Sequence, residues 1–221
     1  MSGGYTDPMS SEPANQTPPV SPTTRVQAVA VPGIPTVTSG DDLAAVISPH
    51  LNVLQWPDGY VGLRGDDVVV IAGKILAKSQ GRWHREGNEP DGFRTRTGIP
   101  AKLGLKEPAE PDSAAAQIRR GLAARFGGRP GVIITGSGGN GQCGVDTLRG
   151  AGKQSGTAEQ RGVVDVALGS AGLDLVHRSG MAVADAIAAL AGVVAMSQPD
   201  CPVVVVRGIP DVMTWEDQPE R

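Results

Sequence analysis

The stretch Asp66-Asp67-Val68-Val69-Val70-Ile71-Ala72-Gly73-Lys74 decides the fold. Its four consecutive β-branched residues, bounded by Gly65 and Gly73, have the length and composition of a strand that is buried on both faces. Lys74 and Lys78 follow directly, and ligands of α/β sheets tend to lie just beyond the carboxyl ends of strands. The stretch therefore predicts a central strand that leads into an anion-binding position, with a solvated basic helix face as the alternative.

Strand and helix patterns alternate on both sides of this stretch. The further strands are predicted at 26–31, 131–135, 163–168 and 202–207, and the helices at 41–51, 114–126 and 181–196. Ser39 is placed to cap the first helix and Asp112 or Ser113 the second, which should end at Gly127. Because the alternation has no strict βαβ rhythm, we expect an α+β (mixed α/β) class: a mixed sheet with flanking helices.

The predicted elements form one domain with two weakly structured ends. Residues 1–25 have almost no large apolar side chain, which predicts a disordered N-terminal tail. Residues 26–210 form the domain and include a glycine-rich loop at 136–162, and residues 211–221 are predicted to fray. No element is assigned to residues 83–111, because they show no clear periodicity.

Composition and charge exclude several classes of protein. With 31 Gly and 18 Pro among 221 residues, the chain is not a helical bundle. A net charge of −3, with neither sign concentrated, predicts no nucleic-acid partner and no binding to anionic membranes. The start lacks a signal-peptide pattern and no run approaches about 18 apolar residues, so we expect a cytoplasmic protein without membrane association.

Three familiar site motifs are incomplete in this chain. Residues 136–141 match G-x-G-x-x-G, but further glycines follow where a dinucleotide-binding helix should start, so we interpret them as loop. Residues 150–155 end like a phosphate loop, but Thr147 stands in place of its first Gly and Gln154 in place of its Ser or Thr. The three histidines are too far apart to form an HxxxH metal pair.

Several short blocks, taken together and in order, are more specific than any single motif. In the N-terminal half they are Gly33-Ile34-Pro35, Gly40-Asp41-Asp42-Leu43-Ala44, Gly65-Asp66, Lys74 and Lys78-Ser79-Gln80-Gly81-Arg82. In the C-terminal half they include Pro111-Asp112-Ser113-Ala114, Asp165-Val166-Ala167-Leu168-Gly169, Val183-Ala184-Asp185 and Pro202 to Gly208. Their order and spacing over about residues 26–210 resemble the coenzyme F420-0:L-glutamate ligase family.

The resemblance implies a GTP-dependent amide ligation assisted by Mg²⁺ or Mn²⁺. In this family a terminal carboxylate of the coenzyme F420 precursor is activated by phosphoryl transfer, and the α-amine of L-glutamate then attacks it. The resemblance also implies a homodimer, with the helix at 181–196 as a candidate contact surface. It assigns no catalytic residue. The implied nucleotide-binding residues are Gly33, Ile34, Pro35, Thr36, Lys74, Lys78 and Arg82, and the implied metal ligand is Ser137.

The chain departs from the family pattern at the metal site. The family's Asn-Ala-Gly-Ile-Asp segment has no counterpart between Trp83 and Glu110, and of the two metal-binding residues that open the next family block only Ser137 is kept. Candidate replacements are Asp91, Glu107, Glu110 and Asp112. Two hypotheses follow: a divergent ligase with a rebuilt metal site and reduced activity, or a catalytically inactive paralogue that binds nucleotide or the F420 precursor, or supports an active ligase.

Overall fold

The structure is a computed structural model that describes residues 25–85, 103–137, 164–198 and 200–217. Within these ranges the strands are β1 (Gln27–Ala30), β2 (Val68–Ala72), β3 (Trp83–Arg85), β4 (Leu103–Leu105), β5 (Gly131–Ser137), β6 (Asp165–Ala171) and β7 (Val203–Arg207). The helices are α1 (Leu43–Asn52), α2 (Gly73–Ser79), α3 (Pro111–Phe126) and α4 (Val183–Ser197), followed by a 3-10 turn, Pro210–Val212. The predicted tail, except residue 25, and most of the predicted glycine loop lie outside the described residues.

Five strands form one mixed sheet in the order β1-β7-β2-β5-β6, which confirms the predicted fold class. β2 pairs in parallel with β5 and antiparallel with β7, and β7 pairs antiparallel with β1. β1, β2 and β5 therefore run in one direction and end at the same edge of the sheet, which we call the carboxyl edge. β6 runs the opposite way and begins at that edge, where Asp165 pairs with Ser137.

Helices cover both faces of the sheet around β2. Val69 and Ile71 belong to the apolar cluster that contains α1 and α3, whereas Val68 and Val70 belong to the cluster that contains α4. Burying a Val or Ile side chain contributes about 1.5–3 kcal/mol relative to leaving it exposed. The continuous apolar run of β2 is therefore explained by helices on both sides of the strand, as its sequence predicts.

The cap of α1 is Asp42 and not Ser39. The Asp42 Oδ1 atom accepts a hydrogen bond of 3.0 Å from the backbone N–H of Ala44, and the helix begins at Leu43. Ser39 precedes this point and belongs to a turn in which the Asp41 carboxylate accepts from the backbone N–H and the hydroxyl of Thr38. The prediction of a Ser39 cap was wrong because this turn separates Ser39 from the helix.

Replacing Asp42 with alanine should lower the free energy of unfolding by about 1 kcal/mol, because the first turn of α1 loses its side-chain acceptor. Ser39→Ala is the matched control and should change it by less than about 0.5 kcal/mol. Urea denaturation of the three proteins measures both values. Equal losses in the two variants would contradict the assignment of the cap.

α3 begins earlier than predicted, at Pro111, so neither Asp112 nor Ser113 is its cap. Proline suits the first turn of a helix, where its missing N–H would have no helical partner. The Asp112 carboxylate instead accepts a hydrogen bond of 2.9 Å from the backbone N–H of Ser170, which joins α3 to β6. Gly127 ends the helix with a φ of 71°, as predicted.

Short elements occupy segments that the sequence analysis left as loop. β3 and β4 pair antiparallel within residues 83–111, and each has three residues, too few for an alternating pattern to be visible. Gly136 and Ser137 belong to β5, not to the predicted loop. α4 has 15 residues. Among the residues described, no helix combines the length and the apolar character needed to cross a bilayer.

A buried ion pair lies at the edge of the sheet opposite the carboxyl edge. Arg207 donates from Nε to Asp67 Oδ1 at 2.6 Å and from one terminal nitrogen to Oδ2 at 2.7 Å. The Arg207 guanidinium also lies 3.6 Å from the ring centroid of Trp56, whose indole N–H donates to the carbonyl of Gly62. This forked geometry is the strongest form of arginine–carboxylate contact, and it ties the end of β7 to the start of β2.

A second buried arginine holds the C-terminal segment. Arg119, 1% exposed, donates from Nε to the carbonyl of Pro130, and from its other nitrogens to the carbonyls of Thr214, Trp215 and Glu216 and to Asp217 Oδ1. We call residues 214–217 the strap. The sequence analysis expected fraying from 211 onward, but residues up to Asp217 are anchored by these hydrogen bonds.

The Asp217 carboxylate is the charged partner in the strap. Burial alone would raise its pKa, but hydrogen bonds from Arg120 and Arg119 and the charge of Arg129 outweigh burial, so the pKa lies below its ordinary value. A lowered pKa in the folded protein means that ionised Asp217 stabilises the fold at neutral pH. This stabilisation is lost as the pH falls through the lowered pKa.

Candidate functional site

The residues predicted to bind nucleotide gather at the carboxyl edge. The turn Gly33–Thr36 follows β1, and α2, which carries Lys74 and Lys78, follows β2 directly. Ser137 is the last residue of β5. The parallel direction of β1, β2 and β5 explains this arrangement, because the segments after the three strands emerge on the same side of the sheet.

Hydrogen bonds fix the segment that contains the turn Gly33–Thr36 at both of its ends. Before the turn, the backbone N–H of Val31 donates to the carbonyl of Val203 at 2.9 Å. After it, the N–H of Gly40 donates to the carbonyl of Ser79, in the last turn of α2, at 2.7 Å. Gly33 has a φ of 76°, which favours glycine, and the turn is largely exposed. An exposed turn without a side chain at Gly33 allows a ligand to approach the backbone closely.

Lys74 and Lys78 lie one helical turn apart on α2. Residues four apart share one side of a helix, and the residues between them, Ile75 to Ala77, are buried. Lys74 is exposed and Lys78 is half-buried. The two ammonium groups therefore place positive charge on the outer side of α2, beside the end of β2.

The positive charge of Lys74 also acts on Cys201, which lies just before β7. The Cys201 thiol donates to the carbonyls of Val31 and Val203, each at 3.1 Å. Burial raises the pKa of this thiol, while the charge of Lys74 acts in the opposite direction.

The end of α2 holds a neighbouring segment of backbone. The Gln80 amide donates to the carbonyl of Ala109 at 2.9 Å and accepts from the N–H of Ala109 at 2.8 Å. Arg82, predicted to bind nucleotide, donates from Nε to the carbonyl of Glu107 at 2.5 Å. Only an amide side chain can both donate to the carbonyl and accept from the N–H of the same residue.

Gln80→Glu should lower the free energy of unfolding by about 1–2 kcal/mol, because a carboxylate oxygen would face the Ala109 carbonyl with no donor between them. Gln117→Glu, on the exposed side of α3, is the control and should shift it by less than about 0.5 kcal/mol. Chemical denaturation gives both numbers. An unchanged free energy of unfolding in the Gln80 variant would mean that the two hydrogen bonds between Gln80 and Ala109 do not stabilise this segment.

The described residues do not form a metal site. Within them, no group of three His, Cys, Asp or Glu side chains could hold a metal ion. Glu107 and Glu110 are exposed, Asp112 is bonded to the N–H of Ser170, and Asp91 lies outside the described residues. By the resemblance, Gly136 aligns with a metal-binding Asp of the family, and a methyl group added there would lie 2.8 Å from Leu168 Cδ1. Leu168 therefore fills the space that a side chain at 136 would need.

Comparison with known proteins gives an independent view of the same chain. The model of the F420-0:gamma-glutamyl ligase family matches residues 94–208, which include β4, α3, β5, β6, α4 and β7. The coenzyme F420:L-glutamate ligase of Archaeoglobus fulgidus is 28% identical over 84% of this chain and 88% of its own length. The protein of that name from Methanothermobacter thermautotrophicus is 28% identical over 84% of this chain and 90% of its own length. The chain therefore belongs to the F420-0:gamma-glutamyl ligase family.

Proposed function

We propose that the protein adds L-glutamate to the coenzyme F420 precursor F420-0 and uses GTP to activate the acceptor carboxylate. The family match and the names of its relatives support the ligase reaction. The observation that carries the proposal in this chain is the junction of the turn Gly33–Thr36 with α2 at the carboxyl edge, bound by Gly40 and Ser79. Such edges are where α/β sheets bind their ligands.

In this proposal the nucleotide phosphates lie between the turn and α2. The exposed turn offers backbone at close range, because Gly33 has no side chain. Lys74 and Lys78 supply point charges suited to phosphate oxygens. Ile34, Pro35 and Thr36 would line the turn, whereas Arg82 would act through its contact with the Glu107 carbonyl, which holds the neighbouring backbone.

The proposed reaction would be assayed in the presence of a divalent metal ion. The resemblance implies Mg²⁺ or Mn²⁺, which would stabilise charge on the transferring phosphoryl group. The described residues lack the set of oxygen ligands that these ions require, and Ser137 alone does not provide it. We therefore expect the ligase activity to be low.

A specific observation also favours a second candidate function. Leu168 packs against Gly136, the position where the resemblance implies a metal-binding carboxylate in the family. The alternative is therefore a catalytically inactive paralogue that binds nucleotide or F420-0, or supports an active ligase. The two candidates share the nucleotide site and differ in turnover.

Calorimetric titration of GTP and GDP, with and without Mn²⁺, tests the nucleotide site. Lys78→Ala should weaken GTP binding by about tenfold or more, because a charged contact with phosphate is lost. Arg178→Ala, which removes an exposed cation beyond β6, should leave the affinity unchanged. Equal affinity in the wild type and the Lys78 variant would overturn the proposed site.

A ligation assay then separates the two candidate functions. Purified protein is incubated with GTP, L-glutamate, F420-0 and either Mg²⁺ or Mn²⁺, and the product is identified by mass. A glutamylated product that disappears in Lys78→Ala supports the ligase. GTP binding without product supports the inactive paralogue.

We also propose a homodimer, as the resemblance implies, and we expect it to act in the cytoplasm. α4 exposes Leu190, Val193 and Met196, the last two 56% and 77% exposed, on the side away from the sheet. Exposed apolar patches of this kind are typical of protein interfaces. Sedimentation velocity should give twice the mass of one chain, and a single species of monomer mass would contradict the dimer.

A further inference from the structure

A histidine from α1 borders the first residue of the turn Gly33–Thr36. His50 lies in the last turn of α1. A methyl group added at Gly33 would lie 3.5 Å from His50 Nδ1 and 3.6 Å from its Cε1 atom. Among the described residues, apart from the chain neighbours of Gly33, no other heavy atom lies within 4 Å of that methyl position. The space beside Gly33 is therefore bordered by the imidazole and is otherwise open to a ligand.

The imidazole of His50 has unused hydrogen-bonding capacity. The side chain is half-buried. Within the parts of the chain that the structure describes, neither ring nitrogen forms a hydrogen bond or an ion pair. A neutral imidazole offers one donor and one acceptor. A ligand at Gly33 can therefore bond to His50 without breaking a hydrogen bond inside the described fold.

Positive charge reaches the same segment from α2. The charge of Lys74 acts on the Cys201 thiol, and this thiol donates to the carbonyl of Val31, two residues before Gly33. Lys78 follows Lys74 by one helical turn. A ligand at the start of the turn thus lies near the imidazole of α1 and near the lysine charges of α2.

The chemistry of these groups selects a phosphate. An oxygen in the position of the missing methyl group would lie 3.5 Å from His50 Nδ1. A shift of about 0.3 Å would bring it within the usual hydrogen-bond range of about 2.7–3.2 Å. Hydrogen bonds from N–H groups to an ionised phosphate are among the stronger ones. A phosphate oxygen also carries the negative charge that the lysines favour, whereas ribose and guanine are uncharged.

We propose that His50 donates a hydrogen bond from Nδ1 to a phosphate oxygen of the bound nucleotide. The inference rests on the proposed function, because GTP is the nucleotide that the ligation would consume. In this arrangement the backbone of Gly33, the imidazole of α1 and the lysines of α2 surround the phosphate. It also gives a reason for glycine at position 33, since any side chain there would occupy the place of the oxygen.

Histidine NMR on the full chain tests the contact in the absence of metal and turnover. The chain has three histidines, so isotope-labelled histidine gives three Cε1–H resonances, and the one lost in His50→Phe belongs to His50. GTP and inorganic tripolyphosphate should both shift this resonance, whereas guanosine, which has no phosphate, should not. The His177 resonance should stay in place. No shift of the His50 resonance with GTP, or an equal shift with guanosine, would overturn the proposal.

Variants of His50 distinguish hydrogen bonding from packing. His50→Phe keeps a ring against Gly33 but removes both nitrogens, so it should raise the dissociation constant for GTP about tenfold or more. His50→Asn retains an amide N–H close to the position of Nδ1 and should raise it by less than about threefold. His177→Phe changes a ring that contacts Ser179, after β6, and should leave it unchanged. Equal affinity in the wild type and His50→Phe would reject the contact.

The outcomes for this inference and for the proposed function are distinguishable. If GTP binds and the ligation product forms but the His50 resonance does not move, the proposed function stands and the inference is wrong. If tripolyphosphate moves the resonance and His50→Phe weakens its binding, the phosphate contact stands even when no ligation product forms.

Discussion

Asp67→Ala is expected to lower the free energy of unfolding by about 3–5 kcal/mol, because it leaves the buried Arg207 charge without its carboxylate. Asp67 is fully buried and accepts two hydrogen bonds from Arg207. Another nitrogen of Arg207, Nη1, already lacks a partner within the described residues. Removing Asp67 would therefore leave two more nitrogens of the buried Arg207 guanidinium without their carboxylate acceptor. Guanidinium denaturation followed by circular dichroism measures the loss.

The adjacent carboxylate provides the control for this experiment. Asp66 is exposed, and Asp66→Ala should change stability by less than about 0.5 kcal/mol. The double variant Asp67→Ala/Arg207→Met removes both charges and should recover part of the loss, since no uncompensated charge is then buried. A loss below about 1 kcal/mol in Asp67→Ala would show that the pair contributes little.

Gly172→Ala is expected to cost at least about 3 kcal/mol, because the added methyl group would overlap the guanidinium of Arg119. Arg119 passes beside Gly172 to reach the strap, so the collision would displace the hydrogen bonds to residues 214–217. Gly172 also has a φ of 75°, which alanine adopts only with strain. Thermal or chemical unfolding measures the total cost.

The variant Gly180→Ala distinguishes the cost of backbone strain from the cost of the steric clash with Arg119. Gly180 has a φ of 83°, and an added methyl group would meet no atom within 4 Å. This control should therefore show only the cost of the left-handed backbone, about 1–2 kcal/mol. If the two variants lose equal stability, the Arg119 contact contributes nothing and the explanation for Gly172 is wrong.

The sequence predicts the elements of this fold better than their arrangement. The apolar run Val68–Ile71 identifies β2, since few other structures bury four β-branched residues in succession. The position of β7 between β1 and β2 was not predictable, because these strands are all apolar and their sequences do not specify partners. The three-residue strands β3 and β4 were missed because they are held by one another and by Arg82.

Only the parts of the candidate site that lie in recognisable sequence motifs were predictable. The turn at Gly33 and the lysines of α2 stand in blocks that resemble the family, and the structure brings them to one edge. The anchoring of Thr214–Asp217 was missed because its partner, Arg119, precedes it by almost 100 residues.

The position of β7 also determines when the segment around the turn Gly33–Thr36 can be fixed at both ends during synthesis. In the described sheet β1 pairs only with β7. Of these five strands β1 is synthesised first and β7 last, so β1 cannot pair until β7 has been synthesised. Val31, just before the turn Gly33–Thr36, likewise bonds to Val203. A nascent chain that has not yet reached residue 203 therefore lacks the hydrogen bond that fixes the start of this segment. Such long-range pairing forms late in folding, so this edge of the sheet is completed only near the end of synthesis.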